Sequence, residues 1–329
     1  MKVLTSKGTI VSLDKKDRAI ISELSTNARL PLTAIAKKVM LSRKSVEYRI
    51  EQMENKSIIS GYRTVINIKR LGFQTYHIFI TPQNQQDEKE LIERAIRSPF
   101  VNAVVTYSGK FSAEISIMAR NPEEFQGYSR KLFSGINVRE DITLMLLNTI
   151  KSSVIPGWQK RKIEKITAKE NKNYTLDDKD IELLKIISKD STITSLALAE
   201  KLKISKDTVA YRIKSLIESK FIVEFRPAIN FSALGYSINS ILLKINKGND
   251  SSEKFESYLK ESDNVLWSTK TFGEYDYVIY LMTKDVSELH VFIDTAKTEF
   301  NNLISSYELL FAYEELKYEF MADSVSTIK

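Results

Sequence analysis

Cysteine is absent from this 329-residue chain, and histidine occurs only twice. The first absence excludes disulfides, thiolate metal centres and cysteine nucleophiles. The two histidines, His77 in a strand-like stretch and His290 in a helix-like one, make no recognisable metal site. Glycine is scarce, at ten residues, and no glycine-rich loop of the kind that cradles phosphate is present. No apolar run approaches the length needed to span a membrane. The first residues, Met1 to Lys7, show neither a long apolar core nor a cleavage pattern. The expectation is a cytoplasmic protein with no catalytic residues, metal, cofactor or membrane partner.

What is present is an ordinary globular composition, 43% hydrophobic and 28% charged, long enough for two to four small domains. The stretch Leu41 to Met53 stands out. Val46, Ile50 and Met53 fall at i, i+4 and i+7, which predicts a helix with one apolar stripe. Ser42 stands where a cap belongs. Ser42, Arg43, Lys44, Ser45, Tyr48 and Arg49 lie off the stripe, clustered toward the helix N-terminus. The dipole and free N–H groups of that end suit phosphate. The stretch recurs at Ile204 to Leu216, with Ser205, Lys206, Thr208, Tyr211 and Arg212 in the matching places. The match is not complete, since Arg43-Lys44 becomes Lys206-Asp207. Residues 13–63 carry eleven Lys/Arg against six Asp/Glu, whereas residues 176–226 carry ten against nine. The two helices are therefore expected to be unequal readers of a polyanion.

A shift of 163 aligns residues 13–73 with 176–236 without a gap, pairing Asp14 with Asp177, Asp17 with Asp180, and Arg63 with Arg226. The chain is thus two copies of one unit. Each begins with three short helices and a β extension, a winged helix-turn-helix. In the first copy strands near 73–80, 101–107, 113–119 and 139–147 alternate with helices near 87–97 and 122–133. That βαββαβ order is the ferredoxin-like plan, a sheet with two helices on one face. The fold class is α+β, in two tandem units. The expected boundaries are 1–68 and 69–150 for the first unit, 151–175 for a basic linker, and 176–231 and 232–329 for the second.

Three motifs carry a resemblance: Leu-Asp-x-x-Asp at 13–17 and 176–180, Leu/Ile-Ser-x-x-x-Val-x-x-Arg-Ile at 41–50 and 204–213, and Leu-Gly-aromatic at 71–73 and 234–236. Their order and spacing, found twice, resemble the Lrp/AsnC family of transcription regulators. The resemblance implies double-stranded DNA as partner. It also implies dimerisation through the ferredoxin-like domain and a small, amino-acid-like effector. A Gly-x-aromatic-Asp turn near the family's effector site is kept in copy two as Gly273, Tyr275 and Asp276, whereas copy one has Gly109-Lys110-Phe111-Ser112. A tight turn whose Asp caps backbone amides explains the same residues. The family's members are usually one unit long, so this tandem is expected to act as an intrachain pseudo-dimer, from which higher homo-oligomers can be built.

Two other classes compete. Some tetrapyrrole decarboxylases of the siroheme type resemble the same two-domain unit. Such an enzyme needs basic and histidine side chains converging on a carboxylate-rich macrocycle, and no such cluster is visible in the sequence. The third class is a sensor or adaptor with one degenerate DNA-binding half.

Overall fold

The computed structural model describes residues 10–155, 157, 174–246 and 251–325. Most of the basic linker, residues 158–173, lies outside them. Each copy opens as expected. The first has α1 (Lys15–Thr26), α2 (Leu32–Val39) and α3 (Arg43–Asn55), and the second α6 (Asp178–Lys189), α7 (Ser195–Leu202) and α8 (Lys206–Glu218). Asp14 with Asp17, and Asp177 with Asp180, form reciprocal capping boxes that satisfy the first free amides of α1 and α6. The stripe Val46, Ile50 and Met53 is buried.

A strand follows each trio, β1 (Ile59–Ile66) and β6 (Ile222–Ile229), and the two pair antiparallel with each other. This two-stranded wing sheet ties the helix-turn-helix units together. Arg63 stands directly opposite Arg226 in its register. A short 3-10 turn then enters each ferredoxin-like domain through Gly72 and Gly235, both at φ 78°.

The first domain comprises β2 (Gln74–Pro82), α4 (Gln85–Arg97), β3 (Val101–Ser108), β4 (Ala113–Ala119), α5 (Pro122–Phe133) and β5 (Val138–Ser152). The second comprises β7 (Ser237–Ile245), α9 (Ser252–Glu261), β8 (Val265–Phe272), β9 (Tyr277–Thr283), α10 (Val286–Glu299) and β10 (Ile304–Tyr318). The two sheets do not stay separate. β5 pairs with β8, β10 pairs with β3, and the eight strands close into one barrel. β5 therefore runs on to Ser152, past the strand expected to end at 147, because its second half is held by the other copy rather than by its own sheet.

Closure buries a face that an open sheet would leave wet. On β4, Ala113, Ile115 and Ile117 point outward to the core beneath α4 and α5. Glu114 and Ser116, between them, point into the barrel. Phe79, Phe111, Leu144, Leu242, Val278 and Leu310 pack together in the barrel interior. The helix-turn-helix units cross over. The first packs on Ile238 and Met282 of copy two, and the second on Phe73 and Met118 of copy one. Among the described residues no helix is long and apolar enough to cross a membrane.

Candidate nucleic-acid interface and central cavity

Helices α3 and α8 are built alike. The Ser42 hydroxyl accepts from the Ser45 amide at 3.1 Å, and Ser205 accepts from the Thr208 amide at 3.0 Å. Ser205 and Thr208 also join through their hydroxyls at 2.8 Å. The caps satisfy amides near the first turn and leave the outer face free. Arg43, Lys44 and Lys206 are exposed, as are Tyr48 (61%) and Tyr211 (65%). Among the described residues no ion pair engages Arg43 or Lys44.

Arg49 and Arg212 are placed differently. Arg49 lies 2.8 Å from Asp14 and 2.7 Å from Asp17, the two carboxylates of the α1 capping box. Arg212 repeats this with Asp177 and Asp180, both at 2.8 Å. Each arginine ties the third helix of its unit to the first. Hydrogen bonds from the Asp17 amide and then Arg49 hold the Asp14 carboxyl below its ordinary range. Burial pushes Asp177 up, but Arg212 and the Asp180 amide outweigh it and the net shift is downward.

In the second ferredoxin-like domain Gly273 sits at φ 149°, where an added Cβ would stand 2.6 Å from the Thr143 carbonyl oxygen. The β8–β9 turn thus presses on β5 of the other copy. Tyr275 is buried in the barrel interior. Asp276 accepts the Ile245 amide at 2.8 Å through one carboxylate oxygen.

Between the wing sheet and the barrel lies a cavity of about 750 Å³. No convergence of histidine and basic side chains was visible in the sequence, yet His77, Arg63, Arg226, Lys69 and Lys151 all line this cavity. They come from both copies and from segments far apart in the chain. His77 Nδ1 lies 2.6 Å from Glu114 Oε1, and Glu114 is only 2% exposed. The hydroxyls of Tyr107 and Tyr280 donate to the same carboxylate, each at 2.6 Å. Burial pushes the Glu114 carboxyl up, but the charge and hydrogen bonds of His77 and the two phenols hold it below its ordinary value. The Trp267 ring lies nearly parallel to those of His77 and Tyr280, at centroid distances of 6.1 and 5.1 Å.

Acids also line the cavity. Glu224 pairs with Arg226 at 3.0 Å. Glu315 and Glu319 lie near Arg63, and Glu319 Oε2 is enclosed without a hydrogen-bond partner. Arg63 donates to the Lys189 carbonyl at 2.9 Å. Burial lowers its guanidinium pKa despite those two carboxylates.

Residues 13–54 match the model of the AsnC-type helix-turn-helix domain, and residues 176–223 that of a winged helix-turn-helix DNA-binding domain. Over 114 residues the chain is 36% identical to the HTH-type transcriptional regulator LrpA of Pyrococcus horikoshii, covering 34% of this chain and 79% of that one. Over 117 residues it is 33% identical to the proline dehydrogenase transcriptional activator of Rhodobacter capsulatus, covering 35% and 76%. Among solved structures, the siroheme decarboxylase NirDL superposes with a TM-score of 0.65 over 94% of each chain, at 14% identity, which is a likeness of fold. The chain belongs to the Lrp/AsnC family of helix-turn-helix transcription regulators, with the family's two-domain unit present twice.

Proposed function

We propose that this protein is a sequence-specific DNA-binding regulator in which one chain does the work of a dimer. The observation that carries this reading is the pair of capped reading helices with free N-terminal faces, Arg43, Lys44 and Tyr48 on one and Lys206 and Tyr211 on the other. Long donors at a helix N-terminus suit phosphates and guanine edges. The wing sheet and the barrel hold the two helices in one body, so two half-sites are addressed together. Asp207 beside Lys206 repels phosphate, which makes α8 the weaker reader and the operator an imperfect palindrome. Selection of bound DNA from a random library with the purified chain tests the reading. An asymmetric two-part motif is expected, and no enrichment at low salt would overturn it.

The effector reading places an amino-acid-like ligand at the Gly273–Asp276 turn of copy two alone. Calorimetry should then give one site per chain, lost in Asp276→Asn. Two equal sites, or binding untouched by the substitution, would reject it.

The second reading, a tetrapyrrole decarboxylase, is favoured by the cavity that gathers His77, Arg63 and Arg226. A carboxylate-rich macrocycle would there meet Glu315 and Glu319 at close range. Arg226 is already paired with Glu224, and Lys151 with the Ser262 carbonyl. The electrostatics thus oppose a polyanion. Anaerobic incubation with a porphyrin carrying several carboxylates, followed by mass analysis, separates the readings. Loss of carbon dioxide from the ring would replace the regulator reading.

A further inference from the structure

The barrel interior departs from its own pseudo-symmetry around His77. His77 stands opposite Ser116 between β2 and β4, where the register of copy two places Ser240 opposite Tyr280. Ala103 meets Ser116 between β3 and β4, where Trp267 meets Tyr280 between β8 and β9. The same registers set Glu114 against Val278 and Tyr107 against Thr271. A dimer of identical units would carry two equal sets of these residues around the axis. Here there is one set, shared between the copies: His77, Glu114 and Tyr107 from the first, and Trp267, Tyr280 and Ser240 from the second. Tyr107 closes it by bonding Ser240 at 3.0 Å.

The chemistry of the cavity wall is specific. His77 lines the cavity with its Nδ1 held by Glu114. Trp267 supplies flat apolar surface, with the His77 ring nearly parallel to it. Arg63 and Arg226, directly opposite on adjacent strands, are like charges in a position that destabilises a strand pair. Their carboxylate neighbours offset part of that repulsion. A single carboxylate set between the two guanidiniums would remove more of it. Glu319 Oε2, on the same wall and without a partner, calls for an N–H or O–H donor. The volume, about 750 Å³, lies within the range of small-molecule sites.

We propose that this cavity is a single-occupancy site for a flat fused-ring aromatic acid bearing a hydrogen-bond donor, and that its carboxylate bridges Arg63 and Arg226. The site is distinct from the Gly273–Asp276 turn. Because the two arginines belong to the strands that join the helix-turn-helix units, occupancy braces the wing sheet and fixes the spacing of the reading helices. That second step rests on the regulator reading; the ligand site does not.

The test uses the full chain and two probes, kynurenate with two fused rings and the larger pteroate. Trp267 reports directly once Trp158, the other of the two tryptophans, is replaced by Phe. At least one probe should quench Trp267 and give one equivalent per chain by calorimetry. Arg63→Gln should weaken it about tenfold or more, the loss of a charge-assisted bond. Thermal unfolding reports whether that variant is folded. If it is not, Ala103→Trp, which fills the cavity wall without touching a charge, should abolish binding instead. Neither probe binding, two equivalents per chain, or affinity unchanged in both variants would overturn the site. Saturating probe should also shift the affinity for selected DNA severalfold, and an unchanged DNA affinity would overturn the bracing step. A chain that binds probe but no DNA would remove the regulator reading and keep the site.

Discussion

Arg212 reaches from α8 of the second unit to Asp180 at the start of that unit, 2.8 Å away, and Asp180 is only 1% exposed. Removing Arg212 leaves that enclosed carboxylate short of its cation. Arg212→Ala should therefore destabilise the protein by about 2–3 kcal/mol. Arg49→Ala, whose partners are more exposed, should cost about 1 kcal/mol. Chemical denaturation of both variants checks the order. Equal losses would show that burial of the acid does not set the cost.

The free cations of α3 should behave in the opposite way. Arg43→Ala with Lys44→Ala should leave the unfolding midpoint within error, since both side chains are exposed. DNA affinity should fall, and the salt slope should drop by about one for each phosphate no longer engaged. Titrations at several salt concentrations read this directly.

The two reading helices should not contribute equally. Lys206→Ala should weaken DNA binding less than the Arg43, Lys44 pair of substitutions, because Asp207 already weakens that end of α8. Asp207→Lys, which restores a cation there, should strengthen binding about threefold or more, a gain of roughly 0.7 kcal/mol or more of affinity. Unchanged binding in Asp207→Lys would place α8 off the DNA.

Acid should loosen the helix-turn-helix units. Asp14 and Asp177 are both held below the ordinary aspartate value of 3.8 in the fold. A carboxyl depressed in the folded state contributes stability above its unfolded pKa and loses it as pH falls through the folded one. The unfolding midpoint should drop below about pH 4, less steeply in Arg212→Ala. A melt series across that range provides the measurement.

The hairpin turns offer a check on barrel closure. Gly273→Ala forces a Cβ against the Thr143 carbonyl oxygen at 2.6 Å in a left-handed backbone, whereas Gly109→Ala meets the Leu309 oxygen at 3.0 Å. Both should destabilise, Gly273→Ala more, by about 2 kcal/mol or more. Comparison of the two melting curves decides it.

Much of this fold was legible because local chemistry specifies it. The caps at Asp14, Ser42 and Asn121 and the apolar stripe of α3 need only their own neighbours. The ungapped repeat revealed the tandem. Three things were hidden. The second half of β5 carries Thr149, past the expected end of the strand, and Lys151, which reads as linker; their strand pairing comes from Thr269 and Ser268 of the other copy. Glu114 alternates with Ala113 and Ile115, so in an open sheet it reads as the solvent side. Only barrel closure turns that side inward, and with it His77 and Tyr280. The central cavity was invisible for the same reason, since its walls come from two copies. The matched pair Arg63 and Arg226 was the one local clue, and an arginine in each wing strand is ordinary until the strands are seen to lie against each other.

The closed barrel also has a consequence for the chain while it is being made. When β5 leaves the ribosome, the first sheet is complete except for its two outer edges, β3 and β5. Their partners are β10 and β8, and β10 ends at Tyr318. At ordinary synthesis rates the interval is about 10–30 s. For that time the nascent half exposes two unpaired edges, templates on which another nascent half can dock. Neighbouring ribosomes on one message would then risk building barrels from two different chains. The speed of translation between residues 152 and 318 thus bears on how much of the protein emerges as single-chain barrels and how much as interlocked pairs.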